Sequence, residues 1–306
     1  MIHPKYSSNP IYKIESLTKA LNFPLPRLEK LAENTNKYYC PISRFKKGGG
    51  ERTVYSPQEP LKTILKRIKI SIFDKVCYPD YLHGSIRGRS PETNAEIHAG
   101  ATRIIVADIA DFFPSVKGRD IYRICRYFLN ISEEVSILLT RLVTYQDILP
   151  QGSPVSPSLA NLALCWDGKE SKLVESLRQK GLHYTRYIDD IAISYTKRLQ
   201  REEETAVIKK VHAFISGKGF RLNHGKTKVL NPTKAKAITG LKIGRGIGIP
   251  HQYIESVFQE IKQLRDRDSF DEHDIASTGG KINRTKRHNP KQACRLEKHL
   301  PWRTCK

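Results

Sequence analysis

Apolar residues recur at spacings of three and four through residues 14–32, with Ile14, Leu17 and Leu21 followed by Leu25, Leu28 and Leu31 beyond Pro24 and Pro26. That period predicts two short amphipathic helices. Apolar and aromatic residues from Tyr38 to Phe45, the turn Lys46-Lys47-Gly48-Gly49-Gly50, and Arg52 to Tyr55 predict a β-hairpin. Leu61 to Val76 returns to the helical period. Arg103 to Ala107 reads as a short buried strand running into Asp108, and helices are expected over 119–129 and 132–145. Pro150, Gly152, Pro154 and Pro157 interrupt the pattern, which resumes as a helix over Leu159 to Leu177. Tyr184 to Arg186 and Ile191 to Ser194 read as strands joined by a turn carrying Asp189 and Asp190. A helix over Glu203 to Ile215 and short strands up to Pro250 follow, and residues 251–306 are first helical and then strongly basic. Strands interleaved with helices, without regular βαβ alternation, predict an α+β fold.

Charge narrows the function classes. The 306 residues carry 53 Lys and Arg against 31 Asp and Glu, a formal charge of +22, with 39% hydrophobic residues. The hydrophobic share supplies a core and argues against disorder, while the charge points to a polyanionic partner, nucleic acid before an acidic membrane. No apolar run approaches the roughly 18 residues that span a bilayer, and MIHPKYSSNP lacks the apolar centre of a signal peptide, so a cytoplasmic protein with no membrane partner is expected. The six cysteines form no CxxC pair, which argues against a zinc site or a disulfide framework. In residues 284–306, Arg284, Lys286, Arg287, Lys291, Arg295, Lys298, Arg303 and Lys306 face a single acid, Glu297.

The carboxylates carry the sharpest local signal. Asp189 and Asp190 are adjacent at a hairpin tip, and Asp108 ends the strand Ile104-Ile105-Val106-Ala107. Like charges side by side repel, so a cation is a natural partner. On neighbouring strands the three would converge as oxygen ligands suited to Mg²⁺. Two such ions roughly 4 Å apart would activate a 3′ hydroxyl and stabilise a leaving pyrophosphate. The same spacing also suits turn residues and a helix cap.

In order along the chain, Val106-Ala107-Asp108 through Phe112-Phe113-Pro114-Ser115, then Leu149-Pro150-Gln151-Gly152-Ser153-Pro154 with Asn161-Leu162, then Tyr187-Ile188-Asp189-Asp190, then Gly219-Phe220-Arg221-Leu222-Asn223 with Lys226-Thr227-Lys228, resemble the successive motifs of reverse transcriptases. The resemblance implies a right-hand polymerase fold with an antiparallel palm sheet and a helical thumb. Its expected divisions are a helical extension over 1–35, fingers over 36–103, palm with interleaved fingers helices over 104–250, and a basic, RNA-binding thumb over 251–306. It implies RNA-directed DNA synthesis from dNTP substrates, with two Mg²⁺ ions on Asp108, Asp189 and Asp190. Lys226 would protonate the leaving pyrophosphate or remain a surface lysine. Nucleotide contacts would come from Lys47, Arg52, Asp111, Phe113, Gln151 and Gly152, the ring of Phe113 excluding a 2′ hydroxyl by bulk.

Asn94-Ala95-Glu96-Ile97-His98 looks like the NAxxH signature of retron reverse transcriptases, and Ile238-Thr239-Gly240 resembles their VTG triplet with Ile for Val. That likeness implies RNA contacts at Asn94, His98, Ile238, Thr239 and Gly240, joined by Arg284, Lys286 and Arg287 of the basic segment. Trp302 would stack on a base or pin the C-terminus to the thumb core. The implied partners are a cognate structured noncoding RNA, its cDNA in an RNA–DNA hybrid, and an effector or toxin encoded in the same operon and acting in phage defence. Synthesis would start from an RNA 2′ hydroxyl. A group II intron-like or diversity-generating enzyme primed from a 3′ hydroxyl, and a mainly structural scaffold for RNA and effector, are the competing readings.

Overall fold

The computed structural model describes residues 2–45, 49–197, 199–230, 237–267, 269 and 271–303. The chain divides into two units, one of residues 1–90, 105–193 and 199–228 and one of residues 91–104, 194–198 and 229–306. The units are discontinuous because residues 91–104 and 194–198 fold with the C-terminal part of the chain.

In the first unit the apolar stripes close on one another as the periodicity predicts. Leu61, Ile64, Leu65 and Ile68 are the buried residues of the helix Leu61–Ser71, and Leu17 and Leu21 of the helix Ile14–Leu21 are equally enclosed. Each such side chain contributes about 1.5–3 kcal/mol by leaving water. The expected hairpin is present as Tyr39–Phe45 paired antiparallel with Glu51–Pro57, in a register that sets Arg44 opposite Arg52. A four-stranded sheet follows the order His183–Tyr187, Asp190–Tyr195, Arg103–Asp108, Lys228–Leu230.

Three helices differ from their expected form. The helical period of Leu61 to Val76 gives a helix only over Leu61–Ser71, followed by a 3₁₀ turn at Phe73–Lys75 and the strand Val76–Cys77. The helix expected over Leu159 to Leu177 is two helices, Ser156–Cys165 and Lys169–Arg178, because Gly168 between them has φ +76°. A glycine reaches that left-handed conformation without a Cβ clash, so the Asp167-Gly168 step ends one helix and starts the next. The helix expected over 119–129 is α-helical only for Gly118–Arg123 and widens into a π-helical turn over Ile124–Phe128.

In the second unit, the helices His251–Arg265, Glu272–His288 and Pro290–Glu297 enclose Val257, Ile261, Ile282, Ala293, Leu296 and Leu300. Trp302 packs against that core, the second of its two expected roles. Asp271, His273 and Asp274 lie close together at the start of Glu272–His288. The two aspartates are occupied as a reciprocal helix cap, Asp271 accepting from the Asp274 amide at 2.7 Å. Among the described residues no helix is long and apolar enough to cross a membrane.

Candidate active site

The site is built by strand adjacency. Asp108 closes the strand Arg103–Asp108, and the next amide, Ile109 N, donates to Asp189 O at 3.1 Å. This sets the hairpin tip beside the end of the neighbouring strand and brings residues about eighty apart in sequence together. The main chain of 221–223 lies on the other side, with Asn223 N donating to Asp108 O at 2.7 Å and Ala110 N to Arg221 O at 2.8 Å. Lys226 Nζ, on that segment, is 2.9 Å from Asp108 Oδ1.

Electrostatics follow from this crowding. Asp190 keeps an exposed edge, yet the protein packed around its carboxyl desolvates it, and Asp189 and Asp108 add like charge; together they push it up to about 6, against the pull of Lys226. Asp189 is also raised, by burial first and then by the like charge of Asp108, against the lowering effect of a hydrogen bond from its own backbone amide. Lys226 is raised chiefly by its hydrogen bond to Asp108. Asp108 and Asp189 face the cleft and Asp190 lies near enough to feel both charges, so carboxylate oxygens here suit a divalent oxygen-liganded cation, which would replace the Lys226 ammonium as the counter-charge of Asp108.

A carboxyl that holds its proton more tightly folded than unfolded favours the folded state as pH falls through about 6, the gain being complete near about 4; at neutral pH the charged form bears the cost. Millimolar Mg²⁺ is therefore expected to raise the thermal midpoint at about pH 7.5 and much less at about pH 5.5, where protons compete. Asp190→Asn should raise the metal-free midpoint at the higher pH and shrink the gain from Mg²⁺. Scanning fluorimetry of both proteins at both pH values checks this, and an equal Mg²⁺ gain at both would exclude these carboxylates as the ligands.

Around the carboxylates opens a cleft of about 1210 Å³, lined by Arg52, Asp108, Phe113, Gln151, Asp189 and Lys226 among others. Asp111 also lines it, with φ +45°, as the residue before the short helix Phe112–Ser115 that carries Phe113 to the wall. Gly152 has φ +119°, and a Cβ there would lie 2.7 Å from Tyr55 O and from Val54 Cγ1. Tyr55 N donates to Gln151 O at 2.7 Å, so this glycine lets the loop close directly on the hairpin strand Glu51–Pro57. Lys47 lies outside the described residues. Arg44, which the motifs did not single out, stands opposite Arg52 on one face of the hairpin. Facing cations cost stability unless an anion separates them.

The turn that carries Asp189 rests on a group that the motifs did not single out. Ile188, between Tyr187 and Asp189, has φ +61°, an outlier for a β-branched residue. Its carbonyl accepts from Arg186 Nη1 at 2.8 Å. Arg186 is 0% exposed and forms a two-pronged pair with Glu170, also 0% exposed, at 2.6 Å from Nε and 2.9 Å from Nη2. Asn161 accepts from the same guanidinium through Oδ1 at 3.2 Å and through its backbone oxygen at 3.1 Å, while its Nδ2 donates to Gly84 O at 2.8 Å. A Cβ on Gly84 would fall 2.5 to 2.8 Å from Ile188 atoms. The available signal was a lone arginine inside the apolar strand Tyr184-Thr185-Arg186.

In the second unit, Asn94 is 1% exposed and His98 0% exposed, with His98 Nδ1 2.7 Å from Ser194 Oγ. Ile238 is buried too. Thr239 and Gly240 both have positive φ, +49° and +77°, and form the two-residue turn between Ala237–Ile238 and Leu241–Ile243. Thr239 Oγ1 donates to Pro91 O at 3.1 Å. Arg284 lies over the Tyr253 ring at 5.2 Å and donates to Thr239 O at 3.4 Å. Lys286 Nζ is 3.9 Å from Glu297, and Arg287 is exposed.

A family model described as reverse transcriptase (RNA-dependent DNA polymerase) matches residues 46–243, about two thirds of the chain. The chain belongs to the reverse transcriptase family. Among its relatives, the Retron Se72 reverse transcriptase of Salmonella heidelberg is 34% identical over 254 residues, 81% of this chain and 66% of the relative. The Retron Ec86 reverse transcriptase of Escherichia coli is 30% identical over 260 residues, 82% and 78% of the two chains. The Retron Mx162 reverse transcriptase of Myxococcus xanthus is 31% identical over 259 residues, 75% and 53%. This is thus a retron-type reverse transcriptase by relationship, and it spans between about half and two thirds of the Mx162 and Se72 relatives.

Proposed function

We propose that the chain is an RNA-directed DNA polymerase that copies a cognate structured noncoding RNA from a 2′ hydroxyl of that RNA. The observation that carries the reading is the convergence of Asp108 and Asp189 from adjacent strands, with Asp190 at the tip, on a cleft that also presents Arg52, Phe113, Gln151 and Lys226. In right-hand terms the four-stranded sheet is the palm, the hairpin from Tyr39 to Pro57 belongs to the fingers, and the helices after Pro250 are the thumb.

Magnesium ions held by Asp108, Asp189 and Asp190 would acidify the attacking hydroxyl and neutralise the leaving pyrophosphate. The chain's own groups do the rest. Arg52 and Arg44 bring positive charge to the triphosphate, relieving their mutual repulsion. Gln151 reaches template and nucleotide from the cleft wall, and Gly152, closed on the hairpin strand, sets the loop that holds it there. Lys226 faces the same cleft and supplies a proton to the leaving pyrophosphate. Phe113 excludes a 2′ hydroxyl from the sugar position.

Phe113→Val is expected to lower discrimination against ribonucleotides by about tenfold or more, because selection by clash disappears with the ring while deoxynucleotide contacts persist. The ratio of dGTP to GTP incorporation efficiencies measures it, and an unchanged ratio assigns the gate elsewhere.

Lys286 and Arg287 on the thumb provide phosphate contacts for the RNA. Asn94, His98, Ile238, Thr239 and Gly240 act on recognition through the packing that they hold, since the enclosed side chains among them offer no surface to a base. The RNA–DNA hybrid so made engages the operon's effector. Expressing the chain with its flanking noncoding region and sequencing the copurified nucleic acid tests the whole reading. A branched RNA–DNA species is the expected product, and linear cDNA alone would favour 3′ hydroxyl priming.

A further inference from the structure

The three-helix part of the second unit contains a groove that none of the steps above uses. It lies between His251–Arg265 and Pro290–Glu297 and encloses about 730 Å³, within the size range of small-ligand sites. Leu296, from the core beneath, contributes to its lining. The Phe258 ring is 40% exposed, and the His299 ring packs against it at 5.1 Å with the two planes at 84°. One neighbour thus orients the ring while much of it stays open.

The rest of the lining is polar in a particular way. Gln252, Gln259 and Gln292 offer amides that both donate and accept, and Arg295 and Lys298 bring two cations. Among the described residues of the lining Glu255 is the one carboxylate, and His251 Nδ1 stands 3.1 Å from it. An amphipathic helix would need a continuous apolar stripe to dock on. Here only Ile254, Phe258 and Leu296 are apolar, so a protein helix is a poor occupant. An aromatic face, edge-reading amides and flanking cations are instead the set that holds a splayed-out base and its phosphates.

We propose that this groove seats one unpaired nucleobase of RNA, stacked on Phe258, with the adjoining phosphates held by Arg295 and Lys298. The proposal rests on the reading of the chain as an RNA-binding polymerase and adds a base-specific contact to its phosphate contacts. It separates two components of affinity: a salt-dependent one shared by any RNA, and a stacking one available only to unpaired bases.

The test uses the full chain and two fluorescent RNAs of equal length, a hairpin with an adenosine loop and a blunt duplex. Wild type should bind the hairpin more tightly. Phe258→Ala should weaken hairpin binding by about tenfold, in the range of one base stack, and leave duplex binding within about twofold. Phe258→Tyr should restore the loop preference. Arg295→Gln should weaken both RNAs and flatten the log–log salt slope by about 0.7–0.9, the share of one neutralised phosphate. Retained duplex affinity and an unchanged thermal midpoint show that Phe258→Ala has folded. Unchanged hairpin affinity, or an equal loss on the duplex, overturns the base site. Extension of an annealed primer by wild type tests the polymerase reading separately.

Discussion

Asp189→Ala is expected to abolish primer extension, with a loss of at least about a hundred- to a thousandfold, and Asp108→Ala to do the same. Both residues sit where the strand Arg103–Asp108 and the Asp189 turn meet, and the side-chain pair that Asp108 makes is with Lys226 at the cleft. Burial and then the neighbouring charge of Asp108 raise Asp189, so removing its carboxylate relieves a desolvation cost and a repulsion. The metal-free thermal midpoint of Asp189→Ala should therefore equal or exceed that of wild type while activity disappears. That opposition separates a metal ligand from a structural aspartate, whose loss would lower both. Extension on an annealed RNA template in Mg²⁺, beside a thermal melt, measures the two. Activity within about tenfold of wild type for either variant would sink the metal-site assignment.

Arg186→Met should cost about 3–5 kcal/mol, the range for breaking a buried ion pair by removing one partner, because Glu170 is left charged and enclosed. Glu170→Gln should be similarly severe. The double variant Arg186→Met, Glu170→Leu removes both charges, and should regain much of the stability, since the desolvation cost of the pair vanishes with it. Activity should not return. Ile188 would still lack the donor at 2.8 Å that holds its carbonyl, and Asp189 follows directly on that strained residue. Urea melts and primer extension on the three proteins make the comparison. Recovery of full activity in the double variant would show that the guanidinium serves the core alone.

The contrast between these two sites explains how far the sequence could be read. Asp108, Asp189 and Asp190 were legible because each sits in a contiguous motif whose order along the chain carries information. The hairpin and most amphipathic helices were legible because their periods are local. Arg186 and Glu170 are 16 residues apart on different elements, and nothing in either neighbourhood announces a partner. Asn94 and His98 illustrate the same limit from the other side. A polar residue reads as a contact for something outside, whereas the fold encloses both and sets His98 against Ser194. The division at Gly168 was encoded in an Asp-Gly step but hidden by an apolar period that continues through it. The π-turn at Ile124–Phe128 has no local signal at all.

The turn that carries Asp189 has no local means of forming. Its left-handed Ile188 is held by Arg186, which depends on Glu170 and Asn161, which in turn reaches Gly84. Contacts spanning so much of the chain form only after their loop-closure entropy has been overcome, so they belong to the late stages of folding. During synthesis, the ribosome must release everything through Asp190 before the two aspartates can be set beside Asp108. A half-unfolded chain therefore carries all three carboxylates without the geometry that brings them together, while its formal charge of +22 persists.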